Sequence, residues 1–289
     1  MFNLRNAMAA ALVLGLVCAL GGVAEAFIVS NIPGNELWLD ATDTSTLFTD
    51  TGMTTNVSAA GNPVRAWADK SGNANHAITP DSAAGSYQTS VIGGQDVVRF
   101  NRGDLKITGG LNVALNQDRT AFVVMDYSVS TNNSEIFGTS TGNMVDVGQW
   151  SQSWRLRLRQ GNNTFSGNNT LPAGSHLLAI LGDTNGSFAW REGTQIINST
   201  NQHFHWAMNP DLYVGGANFG GREYIGDLAE VIVFDRQLTD WETNKVGYYL
   251  AEKYGFQTPY IVPEPSTLLV WSLFIGLGVG AAWRRRRRR

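Results

Sequence analysis

The sequence predicts an all-β fold, an antiparallel β-sandwich with one helix near the C-terminal end of the domain. Short runs rich in Val, Ile, Leu and Phe recur between residues 96 and 234. Clusters of Gly, Asn, Asp and Ser separate these runs, as turns separate strands. A capped amphipathic segment follows the last run. Many short strands joined by tight turns favour antiparallel sheets over a parallel sheet with crossover helices.

The clearest strands are recognised by their length and their content of β-branched and aromatic residues. They cover residues 96–100, 120–125, 154–159, 176–181 and 229–234. Residues 154–159 alternate strictly between apolar side chains and arginine. This period of two predicts a half-buried strand whose arginine face is solvated. Asp183-Thr-Asn-Gly186, between two strand-like runs, predicts a hairpin.

The predicted helix has both of its ends marked in the sequence. Thr239 and Glu242 form a capping box, and Gly255 can end the helix. The apolar stripe of this helix consists of Trp241, Val246, Tyr249, Leu250 and Tyr254. We expect the stripe to pack on the edge of the sandwich. One domain is predicted over residues 34–256, followed by a short tether over 257–262.

The first 26 residues have the pattern of a signal peptide. Arg5 supplies the positive charge, residues 7–23 are apolar, and Ala24-Glu25-Ala26 is a small-residue cleavage site. The alternative is a permanent membrane anchor, but the cleavage site directly after the apolar run favours removal. Cys18 lies in the apolar run and is the only cysteine. The mature domain is therefore expected to fold without a disulfide.

The C-terminal segment combines a polar motif, an apolar stretch and a block of arginines. Pro263, Glu264 and Pro265 precede the stretch 268–283, in which Ser272 is the only polar side chain. Sixteen helical residues span about 24 Å, close to a hydrocarbon core of about 30 Å. The apolar stretch therefore predicts a single membrane helix. The positive-inside rule predicts that the arginines after it stay in the cytoplasm. These topology-anchoring residues are Arg284, Arg285, Arg286, Arg287, Arg288 and Arg289.

This arrangement over residues 262–289 resembles the PEP-CTERM sorting signal of Gram-negative bacteria. The resemblance implies processing by an exosortase-type enzyme as a partner. It also implies a final location at the cell surface or in the extracellular matrix, after anchoring in the membrane. Pro263, Glu264 and Pro265 would be the sorting motif.

The charge of the chain between the two terminal segments narrows the choice of partners. Residues 27–263 contain 14 Lys and Arg and 22 Asp and Glu, a net charge of −8. Nucleic acid is excluded as a partner because phosphates require a basic patch. Anionic lipid is disfavoured for the same reason.

Three segments together resemble the laminin-G-like, concanavalin A-like jelly roll. They are 36–41 (ELWLDA), 67–76 (WADKSGNANH) and 226–236 (GDLAEVIVFDR). The resemblance covers most of the domain and implies its fold. It says little about function, because this fold carries lectins, adhesion modules and glucanases.

Glucanases of this fold place two glutamates and an aspartate on one strand, as E-x-D-x-x-E or E-x-D-x-E, and the sequence has no such cluster. The pair Glu36 and Asp40 has no third member, and Glu230 and Asp235 are five residues apart. The sequence therefore predicts a non-catalytic exported surface or matrix protein that binds carbohydrate or another surface polymer. A polysaccharide hydrolase and a purely structural coat protein remain the alternatives.

Relatives of this fold often bind structural calcium in loops at the sheet rim. Here the resemblance points to Asp69, Asn73 and Asn75 as the oxygen donors. The alternative, which the sequence favours, is a structural turn in which Asp69 and Asn73 cap backbone N–H groups.

Two further sets of side chains are candidates for binding. His203 and His205 lie on one face of an extended segment and could hold a metal, although a lone pair of this spacing is more typical of a surface strand or loop. Sugar sites use exposed aromatic faces beside amides and carboxylates. The tryptophans that could serve in this way are Trp150, Trp154, Trp190 and Trp206.

Overall fold

The computed structural model describes the chain in eight ranges, which all belong to one compact unit spanning residues 28–261. The ranges are 29–79, 85–127, 133–150, 153–161, 163–165, 171–201, 204–216 and 224–261. The signal peptide, the sorting motif, the apolar stretch and the arginine block predicted above lie outside them. Within these ranges, no helix is both long and apolar enough to cross a membrane.

The first of two antiparallel sheets contains the longest strands. Its members are β1 (Asn35–Asp40), β3 (Pro63–Val64), β6 (Gly85–Ile92), β7 (Gln95–Asn101), β9 (Arg119–Tyr127), β14 (Gly174–Asp183), β15 (Gly186–Arg191), β16 (Thr194–Ser199) and β18 (Ile225–Phe234). The strand order is β16-β15-β14-β9-β18-β7-β6-β3, and β1 also pairs with β18. Strands distant in sequence therefore meet at the centre of this sheet.

The second sheet is also antiparallel throughout its described pairings. Its members are β2 (Leu47–Phe48), β4 (Ala66–Trp67), β5 (Ala77–Ile78), β8 (Leu105–Ile107), β10 (Asn133–Thr139), β11 (Met144–Trp150), β12 (Ser153–Gln160), β13 (Asn163–Phe165) and β17 (Leu212–Val214). The strand order is β13-β12-β11-β10-β17-β8-β5-β4-β2. Short 3-10 turns occur at Val29–Asn31 and Thr44–Thr46.

The two sheets enclose one hydrophobic core, to which most of the strands with described side chains contribute. In β9 the core side chains include Val123 and Met125, and in β12 they are Leu156 and Leu158. This alternation confirms the predicted all-β class with two antiparallel sheets and one helix. One detail of the prediction was wrong: Arg157 on the other face of β12 is buried rather than solvated, because it pairs with a carboxylate described below.

The predicted hairpin at Asp183–Gly186 is confirmed as the β14–β15 connection. Asp183 Oδ1 accepts hydrogen bonds from the backbone N–H groups of Asn185 and Gly186, at 2.7 and 3.0 Å. The aspartate thus satisfies two donors that the tight turn leaves without strand partners.

The helix α1 (Asp240–Tyr254) begins and ends where the sequence predicts. Thr239 accepts a hydrogen bond from the Glu242 N–H, Glu242 bonds back to Thr239, and Gly255 has the left-handed φ of 72°. The buried side chains include Val246, Leu250 and Tyr254, whereas Trp241 is 56% exposed, so the predicted stripe is wrong at that position.

The position of α1 also differs from the prediction. The helix lies on the outer face of the first sheet, not on the sandwich edge, and Lys253 near its C-terminus bonds to Asp40 and Glu230 of this sheet. The chain after the helix returns along it: Pro259 packs on Gly193, and Tyr260 packs on Gly247 so closely that a Cβ there would come within 2.5 Å of the ring.

Substitution of Thr239 by Ala is expected to destabilise the domain by about 1 kcal/mol, because it leaves a backbone donor of the first turn without its acceptor. Thr239→Ser keeps the hydroxyl and serves as the control. Urea unfolding would measure both. Equal midpoints for the two variants would contradict a contribution of the cap to stability.

Candidate functional site

A row of charged side chains crosses three neighbouring strands on the outer face of the second sheet. Glu135 of β10 lies directly opposite Asp146 of β11, and Asp146 lies directly opposite Arg157 of β12. Directly opposite residues of an antiparallel pair project to the same face. Val145 and Val147 point into the core, so Asp146 between them points away from it.

The central member of the row is held in a two-point ion pair. The Arg157 Nε donates to Asp146 Oδ1 at 2.7 Å, and a terminal guanidinium nitrogen donates to Oδ2 at 2.7 Å. Arg159 lies 4.0 Å from the same carboxylate. The two parallel hydrogen bonds fix the plane of the Asp146 carboxylate relative to the sheet.

The burial of this row is unusual for side chains that point away from the core. Glu135 and Asp146 have no exposed surface, and Arg157 is also buried. Charged side chains are almost never fully buried unless they are paired, because removal from water costs several kcal/mol per ion. Buried ionisable side chains are enriched at functional sites. The low dielectric there strengthens their electrostatic interaction with a reacting molecule.

The arrangement suits the chemistry of glycosidic bonds. Opposite Cβ atoms on neighbouring strands are about 4.5–5.5 Å apart. Retaining glycosidases hold their two carboxyl groups about 5–5.5 Å apart, one to attack the sugar and the other to transfer a proton. Glu135 and Asp146 are thus two carboxylic side chains on neighbouring strands of one face, the residue types that this mechanism uses.

A second cross-strand carboxylate pair lies on the outer face of the first sheet and provides a comparison. Asp126 of β9 is directly opposite Asp227 of β18. Arg99 donates to both oxygens of Asp227 at 2.8 Å, and Ser175 donates to Asp126 at 2.7 Å. The Arg99 side chain is 47% exposed whereas Asp227 is buried, so one member of this pair stays in water and the desolvation cost is lower than for Asp146 with Arg157.

The carboxylates that the sequence singled out in β1 and β18 meet in a third arrangement. Asp40 is directly opposite Glu230, and Lys253 of α1 bonds to both at 2.7 Å. Burial opposes ionisation of Asp40, but the charges of Lys253 and Lys70 outweigh it and lower its pKa. Burial raises the pKa of Glu230, and the charge of Asp40 adds to this effect. This cluster joins the helix to the sheet.

The loop for which calcium was predicted is held together by its own hydrogen bonds. The carboxylate of Asp69 accepts from the N–H groups of Trp38, Ser71 and Asn75 and from the Ser71 hydroxyl. These donors point their hydrogens at the oxygens that a cation would need, so Asp69 does not fit a calcium ligand. The arrangement favours the structural turn.

The two asparagines of that loop fasten it to β1. Asn73 and Asn75 donate their amide N–H groups to the carbonyls of Asn35 and Glu36, each at 2.8 Å. Among the residues that the structure describes, no group of three or more His, Cys, Asp or Glu could hold a metal ion. Calcium binding therefore stays a prediction from resemblance, without a donor set in this loop.

The other predicted binding residues are separated in the structure. His205 is fully buried, and burial lowers its pKa, so it is not on a surface strand; His203 lies outside the described residues. Trp206 is 1% exposed and offers no face to a sugar. The side chains of Trp150 and Trp154 are not described. Trp190 is half-buried and lines a cavity beside α1.

Sequence reasoning missed the row of Glu135, Asp146 and Arg157. The arginine face of residues 154–159 was the available signal, since arginines on a β-strand can pair with carboxylates directly opposite them on the next strand. Which acidic residues those would be depends on strand register.

No family model and no curated protein matches the sequence. Solved structures with a similar fold do exist. Domain 4 of AbnA, an extracellular GH43 arabinanase from Geobacillus stearothermophilus, in complex with arabinotriose, is 14% identical with a TM-score of 0.53; the match covers 74% of this chain and 98% of that one.

Two arabinofuranosidase structures are similar to the same extent. A GH54 α-L-arabinofuranosidase soaked with a cyclic sulfate inhibitor is 13% identical, with a TM-score of 0.51 and 70% of this chain covered. An arabinofuranosidase complexed with arabinofuranosyl-α-1,2-xylobiose is 13% identical, with a TM-score of 0.52 and 66% covered. The matches span 52% and 51% of those two chains, about half of their length.

These findings correct the main functional prediction from the sequence. The three solved structures described above belong to glycoside hydrolases, which contradicts the expectation of a non-catalytic surface or matrix protein. They agree better with the alternative, a polysaccharide hydrolase. At this level of identity the similarity itself shows a shared β-sandwich fold, and the suggestion of enzymatic or carbohydrate-binding function needs support from the site.

Proposed function

We propose that this protein is a glycoside hydrolase with a concanavalin A-like sandwich, and that it acts on an arabinose-containing polysaccharide. The observation that carries the proposal is the directly opposed pair Glu135 and Asp146, fully buried on a face that points away from the core. The substrate class is taken from the arabinanase domain and the arabinofuranosidases with the same fold.

The two carboxylates have different roles in this proposal. Asp146, with Arg157 as its counter-ion, is the negative group that attacks the anomeric carbon as the glycosidic bond breaks. Glu135 gives its proton to the departing sugar oxygen and then takes a proton from the water that releases the bound sugar. Because neither side chain is exposed, hydrolysis uses a conformation in which this face is open, and a substrate that binds there selects it.

The test is an assay for release of reducing sugar by the purified protein. Linear arabinan and arabinoxylan are the proposed substrates, and cellulose, xylan and starch complete the panel. We expect arabinose or arabino-oligosaccharides from the first two, with retention of anomeric configuration by NMR. No release from any glycan of the panel would refute a hydrolase function.

We also propose that the hydrolase is exported and reaches the cell surface through its C-terminal segment. The support is the order of Pro263-Glu264-Pro265, the apolar stretch and the arginine block in the sequence. An exosortase-type enzyme would be the partner that processes it, and extracellular polysaccharide would be the substrate nearby.

Substitution of Pro263, Glu264 and Pro265 by Ala is expected to leave the protein in the membrane but off the surface, because insertion depends on the apolar stretch and the arginines. Each arginine costs about 2.5–3.5 kcal/mol to place in the bilayer, so the C-terminus stays inside. Surface labelling and fractionation in a host with an exosortase would measure this. Undiminished surface display of the variant would contradict the proposal.

A further inference from the structure

A cavity of about 310 Å³ lies between the outer face of the first sheet and the N-terminal half of α1. Its floor is formed by β14 and β15, and its walls come from α1 and from Tyr260 in the returning chain. Small-molecule sites occupy about 300–1,000 Å³, so the cavity has room for a small polar ligand. It is on the opposite side of the sandwich from Glu135 and Asp146.

Aromatic side chains form part of the wall. Ala189 packs in the core, so its neighbour Trp190 points to the outer face, where it is half-buried. Phe188, the next residue on that face, lies outside the lining of the cavity and packs beside Trp190, with the two ring centres 6.3 Å apart at an angle of 32°. Burial raises the pKa of Tyr260 to about 12, so its hydroxyl remains a hydrogen-bond donor at neutral pH.

Polar groups line the rest of the cavity. Asp240, Thr243 and Asn244 come from the first turns of α1, while Thr120 and Gln237 come from β9 and the segment before the helix. Thr120 and Asn244 already hydrogen-bond to the backbone of Arg236, Leu238 and Asp240. The side chains of Gln237, Asp240 and Thr243 add polar groups that a purely apolar ligand would not match. An anion would meet the carboxylate of Asp240. A neutral polyhydroxylated ligand satisfies the polar groups and stacks on the aromatic rings.

We propose that this cavity is a second saccharide-binding site, which holds a neutral sugar unit of a glycan chain away from the catalytic carboxylates. The site goes beyond the proposed hydrolysis, since it uses none of the same residues. It keeps the protein on a polymer substrate between catalytic events, and binding at two faces of the sandwich raises the effective affinity for a long chain.

The experiment measures binding of arabinotriose, xylotriose and cellotriose to the purified protein by saturation-transfer NMR and calorimetry. At least one of these sugars is expected to bind. Trp190→Ala and Thr243→Val should each weaken its binding at least tenfold, because the first removes the stacking face and the second removes a hydroxyl at nearly constant volume. Trp241→Ala, which changes the exposed tryptophan of the same helix, should stay within twofold.

The catalytic pair separates this proposal from the proposed hydrolysis. Glu135→Gln should keep the sugar binding, and binding in the absence of any hydrolysis would still support the second site. Unchanged thermal unfolding of Thr243→Val guards against a folding defect. The proposal is overturned if none of the three sugars binds, if both cavity variants bind as well as the original protein, or if Glu135→Gln abolishes the binding that Trp190→Ala leaves intact.

Discussion

Replacement of Glu135 by Gln is expected to lower the rate of arabinan hydrolysis by about 10²–10⁴-fold, the usual contribution of a general acid. The amide has the same shape as the carboxylic acid but cannot transfer the proton to the departing sugar. Because the substitution removes a buried ionisable group without opening a cavity, the melting temperature should change little. Initial rates of reducing-sugar release, compared at saturating substrate, would measure the effect.

Asp146→Asn should also abolish hydrolysis, but it affects stability as well. The substitution leaves the buried guanidinium of Arg157 without its counter-ion, and removal of one partner of a buried pair costs about 3–5 kcal/mol. Glu135→Gln is therefore the more informative variant. If Asp146→Asn lowers activity only by unfolding, urea titration will show it.

The carboxylate pair on the first sheet supplies matched controls. Asp126→Asn and Asp227→Asn change a cross-strand pair that also has an arginine on one member, yet these variants should keep full activity. The opposite pattern, with activity lost in these two and kept in Glu135→Gln, would move the catalytic site to the other face of the sandwich. It would leave the hydrolase function standing and refute the residue assignment.

Lys253→Met is expected to destabilise the domain by about 3–5 kcal/mol, because it removes the cation that two buried carboxylates share. Lys253 bonds to Asp40 and Glu230, and Glu230 also accepts from the Tyr254 hydroxyl at 2.9 Å and the Trp38 indole at 2.7 Å. Without the ammonium group, a negative charge stays buried between α1 and the first sheet. Denaturant unfolding at neutral pH would measure the loss.

Two comparisons identify the cause of this loss. Lys245→Met on the same helix removes a lysine that lies 3.9 Å from the ring centre of the exposed Trp241, and it should cost about 1 kcal/mol or less. The double variant Glu230→Gln with Lys253→Met should recover part of the stability, because it also removes the Glu230 carboxylate that pairs with the Lys253 ammonium group. A double variant no more stable than Lys253→Met alone would show that packing, not charge, explains the effect.

Features that depend on neighbouring residues could be predicted from the sequence. The capping box of Thr239 and Glu242, the Gly255 stop and the Asp183–Gly186 turn all satisfy backbone groups within a few residues. The strand at 154–159 was recognised because its alternation is local. The predicted helix face was wrong at Trp241, because apolar character shows which residues can be buried and not which of them a partner covers.

The sequence by itself determined the all-β class, the limits of the helix and the acidic net charge of the domain. Only the tertiary structure decided which charged groups meet. Asp146 lies opposite Glu135 and Arg157 because three strands pair in one register. Asp40 and Glu230 lie opposite each other although almost the whole domain separates them in sequence. Register depends on contacts between strands that are far apart in sequence, and shifting it by one residue would turn each of these side chains to the other face.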